Sequence, residues 1–104
     1  MTTNIQIDQV MALIRVGELA MEMYRTQAEA ANARETYYDE VKAFEAAFAG
    51  GRRIKVDTFN PMYTHRRAYT NEEFLAFEAA KKKAYRAKRR LLKACGELID
   101  GGAV

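Results

Sequence analysis

The side chains best suited to chemistry in this sequence are cations. Residues 81–90 read KKKAYRAKRR, seven basic residues in ten positions, and no Asp or Glu occurs between Glu78 and Glu97. At 100° per residue, Lys82, Lys83, Arg86, Arg89, Arg90 and, further on, Lys93 share one side of a helix. Like charges one turn apart repel, and a solvated helix normally intersperses both signs. A one-sign stripe therefore points to an anionic partner: nucleic acid, a nucleotide or an acidic protein surface. Contact with phosphates would fall steeply with salt. It would also lack sequence specificity, because no helix-turn-helix, zinc-finger or RNP-like pattern accompanies the stripe. The competing reading is a helix face that is merely solvated. Lys81 and Lys88 do not join the stripe. They fall seven residues apart on the apolar arc with Phe74, Phe77 and Tyr85. There they are expected to meet carboxylates of the first half of the chain, such as Glu18, Glu22 or Glu29, and to tie helices or subunits together.

A second candidate precedes the stripe. FNPMYTHRRAYT, residues 59–70, gathers Tyr63, His65, Arg66, Arg67 and Tyr69, with Arg52 and Arg53 just upstream. Aromatic rings offer stacking faces and arginines offer forked donors to phosphate or carboxylate. Such clusters also serve as hot spots between proteins. The alternative is that Phe59, Met62, Tyr63 and Tyr69 plug the end of a helical pair while the arginines face water.

Other chemistries are not indicated. His65 and Cys95 are the sole residues of their types, thirty positions apart. Cys95 falls on an apolar helix arc, where a cysteine behaves as a small hydrophobe. No zinc-ligand spacing and no phosphate-cradling glycine loop occurs. No catalytic residue, metal ligand or cofactor is expected, and the chain reads as a non-enzyme.

The elements that must position these residues are helical. The 104 residues include one proline and six glycines, with 49% apolar and 30% charged residues, which suits a single soluble domain over 1–104. The fold class expected is all-α. A long first helix covers about 4–48, with a kink or a change of packing neighbour near 28–35, and Gly50 ends it as a left-handed cap. An irregular loop follows over 50–70, with a short strand suggested by the alternation in RRIKVDTF. Thr70 and Glu73 form a capping box that starts a second long helix, about 71–99. Ile7, Val10, Ile14, Gly17, Met21 and Tyr24 step by threes and fours, a coiled-coil-like seam. The expected assembly is an antiparallel helical hairpin that forms a homo-oligomer through this seam, with Lys81 and Lys88 contributing.

Charge is unevenly divided: residues 1–50 hold four basic against eight acidic residues, a balance of −4, and residues 51–104 hold thirteen against six, a balance of +7. A lone cysteine suits a reducing, cytoplasmic setting, and no apolar run approaches a membrane span. Two function classes result. The first is an oligomeric binding protein for nucleic acid or nucleotide. The second is an inhibitor or adaptor that docks on a target protein. In size and character the chain resembles phage and mobile-element accessory proteins, including anti-defence, anti-CRISPR-like inhibitors, although no motif carries that likeness.

Overall fold

The computed structural model describes residues 2–102, with side chains from 6 to 100. The described residues are all-α and form three helices: α1 (Thr2–Phe48), α2 (Pro61–Tyr69) and α3 (Asn71–Gly102). The backbone of α1 stays helical through 28–35, so the alanine-rich stretch does not break it. High helix propensity in AEAANARE accounts for this. The chain divides into two compact units. One joins α1 up to residue 28 with α3 from residue 82, so these segments run antiparallel. The other comprises residues 29–81.

In the first unit the burial is concentrated on few side chains. Leu19 and Thr26 on α1 are buried, and Ala87 on α3 is fully so. Thr26 donates its hydroxyl to the carbonyls of Glu22 and Met23, which satisfies this buried polar group. Across the helices, Arg90 Nη2 donates to Glu22 Oε1 at 2.8 Å.

The second unit has a denser core of Val41, Phe44 and Ile54. Phe44 packs against Phe48 and Tyr69, with ring centroids 4.8 and 5.4 Å apart. Tyr37 meets Phe74 and stacks on Phe77 at 6.1 Å. α1 ends where expected. Gly50 and Gly51 both take positive φ, and the Gly51 N–H returns to the Glu45 carbonyl.

The region 52–69 differs from expectation. No strand forms among the described residues. A strand needs a neighbour to satisfy its backbone, and none is within this small helical unit. Ile54 is buried while Val56, which would share its face in a strand, is exposed. The asparagine and proline at 60–61 do more than turn the chain. Asn60 Oδ1 accepts the Met62 N–H at 3.0 Å and Pro61 takes the first helical position, so the pair starts α2. α3 begins at Asn71 as expected, but not through a reciprocal capping box. The buried Thr70 hydroxyl donates back to the Arg66 carbonyl at 2.8 Å, closing the end of α2 instead. The helix then continues to Gly102, past the expected stop near 99.

Candidate anion-binding site

The stripe on α3 survives folding as an exposed surface. Lys82, Lys83, Arg86, Arg89, Arg90 and Lys93 are all exposed, because the covered arc of this helix is built from Ala84, Ala87, Leu91 and Ala94 on the other side. Its members differ in what holds them. Arg90 is engaged with Glu22. Arg89 lies 5.8 Å from the Tyr85 ring centroid. Lys82, Arg86, Arg89 and Lys93 step by four, three and four, and they form one row along about 16 Å of helix. None of these four pairs with a carboxylate among the described residues.

Lys81 and Lys88 do not tie α3 to the acids of α1 in the single chain. The Lys81 ammonium bonds Glu78 of its own helix at 2.9 Å and sits over the Phe77 ring. Lys88 is exposed. The helix-to-helix tie falls to Arg90 instead, since its forked guanidinium reaches Glu22.

The segment 52–69 belongs to the other compact unit and divides differently. Arg52, Arg53 and His65 are exposed. Arg67 is half-buried, its guanidinium 4.0 Å from the Phe74 ring centroid. Tyr69 is more than half exposed and packs on Phe44, and Tyr63 is half-buried beneath Arg66 at 5.2 Å. His65 borders an open apolar cleft of about 560 Å³ with Phe44, Phe48, Met62, Ala68 and Tyr69, not a cluster of cations.

Arg66 is buried and is taken up inside the protein. Its Nη1 donates to the Ile54 carbonyl at 3.1 Å and stands 3.5 Å from Glu45 Oε2. The same carboxylate oxygen accepts the Ile54 N–H at 2.7 Å. One ion pair thus satisfies both backbone groups of Ile54 and pins the segment after α1 to α1 and α2. Arg66 Nε is buried without a partner. This clamp is the feature that the sequence reading missed. Its signal was Glu45 itself, four residues after Val41 and three before Phe48, a carboxylate on an apolar stripe. Phe59 shows the converse: a plug in the alternative reading of this segment, it is 92% exposed.

Among the described residues no group of three His, Cys, Asp or Glu side chains could hold a metal ion, and no helix is long and apolar enough to cross a membrane. The chain is thus a small all-α domain with surface basic residues and aromatic clusters. Compared with protein families, curated proteins and solved structures, it finds no match.

Proposed function

We propose that the protein is a non-enzymatic, homo-oligomeric helical binding protein that engages a polyanion through α3, without sequence specificity. Nucleic acid is the ligand class that fits best, with a nucleotide as a smaller member of the same chemistry. The observation that carries this reading is the row Lys82, Arg86, Arg89 and Lys93. Four exposed cations lie on one line, with no carboxylate partner among the described residues and no acid in the sequence between 78 and 97. Each phosphate neutralised releases counterions, so four contacts give a log–log salt slope of about −3.5 on duplex DNA. A titration of labelled single- and double-stranded nucleic acid at several salt concentrations tests this. No binding at low salt refutes it.

A second reading is a protein-binding inhibitor or adaptor. It is favoured by Phe59 and Val56, 92% and 76% exposed on one short segment, since large apolar side chains held in water mark a contact surface. Phe59→Ala leaves nucleic-acid affinity unchanged under the first reading and abolishes capture of the protein target under the second.

A further inference from the structure

One surface without an assigned role is the apolar side of α1 up to residue 28, in the unit it forms with α3 from residue 82. In a hairpin, the best heptad seam of α1 should face α3. It does not. Leu19 and Thr26, the residues α1 buries, each lie two positions after Gly17 and Tyr24 of the seam, or 200° around the helix. They occupy the positions a coiled coil ordinarily leaves wet. The seam itself points away: Ile7, Val10, Ile14, Met21 and Tyr24 are each at least half exposed.

Met11 and Leu13 flank the seam and are also exposed. At roughly 100 Å² for each of these seven large side chains, the face reaches about 700 Å². That exceeds the ~300–600 Å² patch typical of a monomer and approaches the ~800 Å² per partner of a standard interface.

Gly17 adds an independent observation. A glycine inside a helix costs about 1 kcal/mol relative to alanine. Here its φ is not positive, and an added Cβ would meet nothing within 4 Å. Nothing within the described chain calls for the missing side chain. A second helix crossing closely at this point does.

We infer that this face is covered by a second copy of the chain, with seam packed antiparallel on seam about a two-fold axis between Ile14 and Gly17. That register sets Gly17 opposite Ile14 of the second copy, Val10 opposite Met21 and Ile7 opposite Tyr24. No charged residue occupies the seam from Ile7 to Tyr24, as a self-complementary dry interface requires. The cation row on α3 lies away from this face, so dimerisation leaves it open and presents it twice. The inference deepens the oligomeric part of the function proposed above and is independent of the anion.

Light scattering on the full chain at tens of micromolar, without nucleic acid, tests it. The expected mass is twice 11.8 kDa. Met21→Glu should halve that mass while the helical circular dichroism is kept. Val10→Glu, opposite Met21 in this register, should do the same. A monomeric wild type, or a Met21→Glu protein of unchanged mass, overturns the inference. Failure of nucleic-acid binding alone would leave these masses unaffected, so the two readings fail separately.

Discussion

Removing Glu45 should do more damage than removing any other single carboxylate of the described residues. The side chains of Glu45 and Arg66 are 11% and 8% exposed, and one carboxylate oxygen serves both the Ile54 N–H and the guanidinium. Glu45→Ala leaves a buried N–H without its acceptor, at about 1–3 kcal/mol. It also leaves a buried cation unpaired, at about 3–5 kcal/mol. These costs overlap, because local opening admits water to both groups, so we expect roughly 4 kcal/mol in all. Out of a total of about 5–15 kcal/mol this is severe, and melting should fall by 15 °C or more, taking roughly 4–8 °C for each kcal/mol. Glu45→Gln keeps an acceptor for Ile54 but removes the charge, and should cost less. Combining it with Arg66→Met should recover part of the loss, because the orphaned cation goes with its partner. Urea unfolding followed at 222 nm, at one fixed protein concentration because self-association shifts the midpoint, measures all three. A loss below about 1 kcal/mol for Glu45→Ala would place the pair with ordinary surface ion pairs and refute the clamp.

Other outcomes follow from the same structure. Glu22→Gln breaks the Arg90 bond, but that pair is 35% and 53% exposed, so unfolding should register a loss of only about 0–1 kcal/mol, reduced further by salt. Asn60→Ala removes the cap of α2 and should cost about 1 kcal/mol in the same assay, with Asn60→Asp close to neutral. Gly17→Leu raises helix propensity by nearly 1 kcal/mol, yet should shift the light-scattering mass toward monomer, a combination that propensity alone does not produce.

The long-range architecture was readable because it rests on local signals. A stretch from 4 to 48 with no proline and only Gly17 to interrupt it, a glycine pair after it and the start at Asn71 all act over a few residues, and α1 and α3 follow them. α2 was hidden because one asparagine–proline pair can end a strand, make a turn or start a helix, and only Asn60 Oδ1 on the Met62 N–H decides. The burial of Arg66 depends on Glu45, twenty-one residues earlier, and on Ile54, twelve earlier. No local pattern distinguishes it from the half-buried Arg67 beside it. On α1 the seam was legible as a period, but apolar residues cover more than half of that helix. α1 buries the side that carries Leu19 and Thr26, and the covered arc of α3 is made largely of small residues, Ala84, Ala87 and Ala94.

The central claim is that the row on α3 binds phosphates. The most direct measurement is the salt dependence of affinity for a labelled oligonucleotide, taken for the wild type and for stepwise Lys82→Ala, Arg86→Ala, Arg89→Ala and Lys93→Ala variants. These positions are exposed, so folding is unaffected. The wild-type log–log slope should lose about 1 per cation removed, equally for every sequence tested. A slope that stays the same when all four are gone, or the absence of binding by the wild type at low salt, contradicts it.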